Sequence, residues 1–197
     1  MDAIDTLMNE HRAIEWVLDG LVGFVEAAVQ RGAADRAELA RFVEFFREFA
    51  DACHHGKEED VLFRAMTDHG FPVNGGPIAV MLHEHAEGRA LVGALRQHAS
   101  GTGAFTAEAL RALSGTARAF AAVLGAHIQK EDGVLYPMAE QRLPAGALAE
   151  VDAACARFDA ARLADHERLR ALGEALAAHA PVDRPTIASL RHACGGR

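Results

Sequence analysis

Residues 54–63 and 127–136 are one pattern written twice. The first reads His54-His55-Gly56-Lys57-Glu58-Glu59-Asp60-Val61-Leu62-Phe63, the second His127-Ile128-Gln129-Lys130-Glu131-Asp132-Gly133-Val134-Leu135-Tyr136. Both spell His-x-x-Lys-Glu-acid-x-Val-Leu-aromatic. A His and a Glu four residues apart stand one above the other on a single face of an α-helix. Imidazole nitrogen with carboxylate oxygen is a ligand set for Fe, Mn or Zn. Two such pairs, in a chain whose apolar residues recur at helical spacing almost throughout, constrain the fold to helices packed around one dinuclear site.

Breaks in the periodicity divide the chain into five helical stretches. The first runs from about Ile4 to Gln30, with Leu7, Ile14, Leu18, Leu21 and Val25 on its inner stripe, and Gly32 ends it. Asp35, with Glu38 three residues on, caps a second in the manner of a capping box, and that helix runs to about Asp68. Gly70-Phe71-Pro72-Val73-Asn74-Gly75-Gly76 cannot continue a helix, and Pro77 suits the first turn of the third. The third stops near Ser100, before Gly101-Thr102-Gly103. A fourth spans about Thr106 to Gln141. Pro144 and Gly146 separate a fifth, about Leu148 to His179, ended by Pro181, and a tail follows. The expected organisation is a bundle over 1–142, a helical extension over 143–180 and a mobile tail over 181–197.

The repetition reaches beyond the two motifs. Asn9-Glu10-His11 in the first helix matches His83-Glu84-His85 in the third, and the spacings from His11 to His85 and from His54 to His127 are 74 and 73 residues. The first and second helices, and the third and fourth, therefore read as two copies of one hairpin carrying a repeated site. In an antiparallel hairpin, residues equidistant from the turn lie level. The midpoint of His11 and His54 falls at the Gly32–Ala33 turn, and that of His85 and His127 is Thr106, a few residues past the second turn.

His11, His54, Glu58, His85, His127 and Glu131 thus form a candidate metal site. Glu58 and Glu131 would bridge two metals with two imidazoles on each, leaving open positions that suit non-haem iron. His55 and Glu59 are also spaced i, i+4, but their counterparts in the repeat are Ile128 and Asp132. His55 therefore reads as a flanking or surface group, and Glu59 and Asp132 as outer acceptors that orient a ligand imidazole. His83 with Glu87 falls on the far side of its helix. His69, His98, His166, His179 and His192 read as solvent-facing or loop groups, and Phe63 and Tyr136 as core, Tyr136 within reach of the metal pocket.

Composition narrows the function classes. The net charge of −8 argues against nucleic acid as the main partner. No apolar run is long enough to span a membrane, and the acidic start, Met1-Asp2-Ala3-Ile4-Asp5, reads as no signal peptide. The three cysteines, Cys53, Cys155 and Cys194, fit no disulfide or zinc spacing, which suits a reducing cytoplasm.

Taken together, Glu10-His11, His54-x-x-x-Glu58 with Leu62-Phe63, Gly76-Pro77-Ile78-x-Val80-Met81 leading to Glu84-His85, and His127-x-x-x-Glu131 with Leu135-Tyr136-Pro137 resemble the hemerythrin-like cation-binding (HHE) domains of bacteria. The resemblance covers residues 1–142, and the fifth helix resembles a C-terminal extension of some members. It implies an all-α, up-down-up-down four-helix bundle with an additional C-terminal helix. It also implies a centre of two Fe ions, non-haem and oxo-bridged, on His11, His54, Glu58, His85, His127 and Glu131. Oxygen-carrying hemerythrins have a further histidine four residues before the His85 position; here that residue is Met81, which leaves one more position open. Iron–sulfur cluster repair proteins share the ligand set but usually carry a preceding small domain with paired cysteines.

The leading expectation is a cytoplasmic di-iron protein, monomer or homodimer, that binds or senses O2 or a related small ligand such as NO or peroxide. The rival is an enzyme that handles peroxide or NO or donates iron for cluster repair, and a third reading is a storage or purely structural helical protein.

Overall fold

A computed structural model of the chain describes residues 2–180. The tail over 181–197, with Pro181, His192 and Cys194, lies outside the described residues. Six helices follow one another: α1 (Ala3–Arg31), α2 (residues 36–68), α3 (Gly76–Ser100), α4 (residues 107–142), α5 (Ala145–Ala160) and α6 (Leu163–Ala177). No strand occurs among the described residues, and none of the helices is long and apolar enough to cross a membrane.

The helix ends are where the side chains put them. Asp2 caps α1 by accepting from the Asp5 N–H at 2.8 Å. Gly32 closes it in the left-handed conformation (φ 70°), its N–H reaching the carbonyls of Ala28 and Val29. Asp35 caps α2 through the N–H groups of Ala37 and Glu38, while the Glu38 carboxylate turns away to Arg41 and His179. Gly75 and Gly76, both at positive φ, turn the chain into α3, with Pro77 in its first turn. Thr106 caps α4 by accepting from the Ala109 N–H.

α1 to α4 form an up-down-up-down bundle in which α1 packs on α2 and α4, and α3 on α2 and α4. Its interior is two apolar clusters with a polar layer between them. One cluster contains Ile14, Leu21, Phe42, Phe46, Leu95, Leu113 and Phe120. The other contains Leu7, Leu62, Met66, Ile78, Met81, Leu135 and Tyr136. On each of the four helices the buried His and Glu residues fall in sequence between the two clusters.

Beyond Pro144 the expected single helix is two. α5 and α6 meet at Ala161–Arg162, where Arg162 leaves helical geometry (φ −124°, ψ 19°). The break follows from what the two segments bury. Ala147, Val151 and Cys155 of α5 join the second cluster, while Leu169 and Leu176 of α6 join the first. One straight rod cannot reach both ends of the bundle. α6 lies close along α1. A Cβ on Gly20 would run into the Leu176 carbonyl oxygen, and one on Gly173 into the Phe45 ring.

Two glycine substitutions should therefore move stability in opposite directions. Gly20→Ala forces backbone apart and should cost about 1–3 kcal/mol. Gly115→Ala, on an exposed stretch of α4 with open space around its Cβ, should gain up to about 1 kcal/mol. Chemical denaturation of both variants checks the pair; equal effects would contradict the close α1–α6 approach.

Candidate metal centre

The polar layer is assembled from all four bundle helices. α1 contributes His11, α2 contributes His54 and Glu58, α3 contributes His85, and α4 contributes His127 and Glu131; every one is buried. The structure brings the six sequence candidates together. Glu131 Oε2 lies 3.2 Å from His11 Nε2 and 3.1 Å from His127 Nε2. Glu58 Oε2 lies 3.7 Å from His54 Nε2 and 3.4 Å from His85 Nε2. Donor atoms of His11, His54, Glu58 and Glu131 fall within 4.8 Å of one another, and so do those of His55, Glu58, His85 and His127. Glu58 belongs to both groups.

Around these imidazoles runs a ring of carboxylates. His54 donates through Nδ1 to Glu10 at 2.9 Å, His85 to Glu59 at 2.6 Å, His127 to Glu84 at 3.1 Å and His11 to Asp132 at 2.7 Å. The ring passes from helix to helix: α1 holds the imidazole of α2, α2 that of α3, α3 that of α4, and α4 that of α1. A cation braces each carboxylate in turn: Lys57 on Glu10, Arg89 on Glu59, Lys130 on Glu84 and Arg12 on Asp132. The repeated Lys-Glu-acid of the motif is thereby explained. Its Lys holds the acid that orients the motif's own His, its Glu faces the centre, and its final acid orients the His of the next helix. Glu59 and Asp132 are the orienting acceptors expected of them. Glu10 and Glu84 complete the set; their place one residue before His11 and His85 was the available signal.

His55 differs from expectation. It is buried at 6% exposure, and its ring stacks on His85 with centroids 3.8 Å apart. The cause lies in the backbone. Residues Phe46–His55, Glu58–Leu62 and Glu131–Leu135 are π-helical, a wider turn often found at functional sites. It narrows the angle between neighbouring side chains below the 100° of an α-helix, so His54 and His55 diverge less.

His166 is likewise half-buried rather than solvent-facing. Its Nε2 lies 3.3 Å from Glu10, and Asp159 reaches Lys57 at 2.9 Å, so α5 and α6 brace the far side of the His54 support. His83, Glu87 and His69 are exposed as expected.

The two halves of the centre are not alike. Tyr136 donates to Glu58 Oε1 at 2.7 Å and stacks over His11. Its counterpart Phe63 stacks on His85 and has no hydroxyl to offer. On the His85 side a cavity of about 210 Å³ opens between α2, α3 and α4, with His55, His85 and His127 at its inner end. Phe46, Val92 and Phe120 line its walls, and the exposed Arg47, Arg89 and Arg96 stand among its lining.

The donors suit a cation. His54 Nε2, Glu58 Oε2 and both Glu131 carboxylate oxygens are buried without a hydrogen-bond partner, and a buried polar group left so is costly. All of them face the same few ångströms. Protonation tells the same story. Burial opposes charge on His11, yet its hydrogen bond to Asp132 and the carboxylate of Glu131 beside it push it up to about 9. Burial likewise opposes charge on His85, and Glu131, Glu58 and Glu59 push it up to about 11. Positive charge is wanted here, and a divalent cation can supply it in place of those protons.

Removing an orienting carboxylate should loosen the centre without emptying it. Glu84→Ala, which frees His127 Nδ1, should weaken metal affinity about 10–100-fold. Glu87→Ala, exposed on the same helix, should leave it unchanged. Titration against a competing chelator measures both.

A model of the hemerythrin HHE cation binding domain matches residues 2–139, well over half of the chain. Searches of curated proteins and of solved structures each return no match. With the matched region covering all four bundle helices and every residue of the imidazole–carboxylate layer, the chain belongs to the hemerythrin HHE cation-binding domain family.

Proposed function

We propose that this chain is a non-haem di-iron protein that binds or senses O2 or a related small ligand, NO or peroxide. The observation that carries the reading is the pair of donor groups sharing Glu58, one of them facing the cavity. His11 and His54 would hold one iron and His85 and His127 the other, with Glu58 and Glu131 shared between them. Iron in such a mixed oxygen and imidazole setting supplies reversible redox chemistry and open positions for a small ligand.

The chain's own residues supply the rest. The orienting carboxylates fix each imidazole with Nε2 turned inward, and a lysine or arginine holds each carboxylate in place. Tyr136 holds one oxygen of Glu58 by hydrogen bond, so that carboxylate keeps its angle to both sides. The cavity gives a small ligand a path to His85 and His127 between the apolar side chains of Phe46, Val92 and Phe120. Cys53 and Cys155 are free and buried, which supports placement in the reducing cytoplasm.

Elemental analysis and an absorption spectrum test this directly. About two irons per chain are expected, with near-ultraviolet bands that vanish on reduction and return with O2. The double variant Glu58→Ala, Glu131→Ala should lose the metal. A single zinc per chain, or metal retained without both glutamates, would sink the di-iron reading. Steady consumption of peroxide or NO in place of a stoichiometric spectral change would make the protein an enzyme.

A further inference from the structure

His55 shares burial and a carboxylate on Nδ1 with the other four imidazoles of the centre. It is buried. Its Nδ1 lies 3.3 Å from a carboxylate oxygen, that of Asp51. Asp51 is itself held by a cation, Arg89, whose Nε donates to it at 2.8 Å, just as Lys57, Arg89, Lys130 and Arg12 hold the other four acids. A donor atom of His55 lies within 4.8 Å of donors on Glu58, His85 and His127.

The remaining histidines with described contacts use different arrangements. His69 Nδ1 meets a backbone carbonyl, while His166 and His179 meet carboxylates through Nε2. Among the described residues, the side-chain carboxylate on Nδ1 seen for His11, His54, His85 and His127 recurs only at His55.

Position adds to pattern. His55 stands on the side of His85 and His127, where the cavity enters. Met81, one turn before His85 and on the same helix face, is buried in the apolar cluster and brings no nitrogen to that side. The π-helical turn ending at His55 is what allows two adjacent histidines to face one centre.

We propose that His55 is a fifth imidazole ligand, joining His85 and His127 on the metal nearest the cavity. The centre is then uneven, with three imidazoles on the cavity side and two on the Tyr136 side. The exogenous ligand reaches the metal beside His55. This rests on the two-metal reading above.

The test compares wild type, His55→Ala and Asp51→Ala, each loaded with Fe(II) without oxygen and then oxidised. Circular dichroism reports folding, elemental analysis reports metal, and a chelator titration reports how tightly the second metal is held. In His55→Ala the fold and the first metal should persist. The second metal should be lost to chelator at least about 10–100-fold more readily, the range seen when only an outer partner is removed. The near-ultraviolet spectrum should shift, and added imidazole, entering by the cavity, should restore it. Asp51→Ala should move the same readouts in the same direction by a smaller amount, and it carries the test if His55→Ala does not fold.

If wild type holds two irons while both variants keep wild-type affinity and spectrum and ignore imidazole, His55 is no ligand and the two-metal reading stands. If wild type itself fails to hold two irons, both proposals fall.

Discussion

Two carboxylates with no access to water govern how this bundle is built. Glu58 and Glu131 are both fully buried, and an ion taken out of water costs several kcal/mol unless its surroundings compensate. Imidazoles compensate here, but only if their rings are held at the right angle and tautomer. Orienting them brings in a second circle of acids, and those acids bring in lysine and arginine. One buried pair thus fixes the identity of some fifteen residues spread over four helices. The apolar clusters above and below close the layer off, so that a polar stratum survives inside a protein whose residues are half hydrophobic.

Much of this was legible in the residues. Gly32, Asp35, Pro77 and Thr106 mark helix ends by their own backbone chemistry, and the structure ends or starts helices there. The doubled His-x-x-x-Glu picked out residues that the fold gathers into one layer, because spacing on a helix converts directly to a face. Three features were not legible. The π-helical turns have no marker residue, and His55 was read as a flanking or surface group because the repeat pairs it with Ile128. The Ala161–Arg162 break contains neither Gly nor Pro. It arises from the reach of α5 and α6 to separate apolar clusters, which only tertiary packing reveals. His166 was read as a surface group because its partner, Glu10, lies 156 residues away in sequence.

Although the motif is repeated, its two halves differ in their surroundings. Tyr136 gives one side a hydroxyl bound to the shared Glu58, while Phe63 gives the other a plain ring. The cavity opens on the side of His85 and His127. On the other side Tyr136, fully buried, stacks over His11. The two halves thus present different surroundings to one shared carboxylate.

The ring of acids has a symmetry of its own. Glu10 to His54 and Glu59 to His85 map onto Glu84 to His127 and Asp132 to His11 when α1–α2 is laid over α3–α4. Half of these links lie within a hairpin and half cross between hairpins, and the crossing ones are the same in both directions. A lone hairpin therefore cannot close the circle, whereas two identical hairpins related by a twofold axis can. The ring therefore has the symmetry of two like hairpins facing each other across an internal twofold, and Tyr136 and His55 are where the two copies differ.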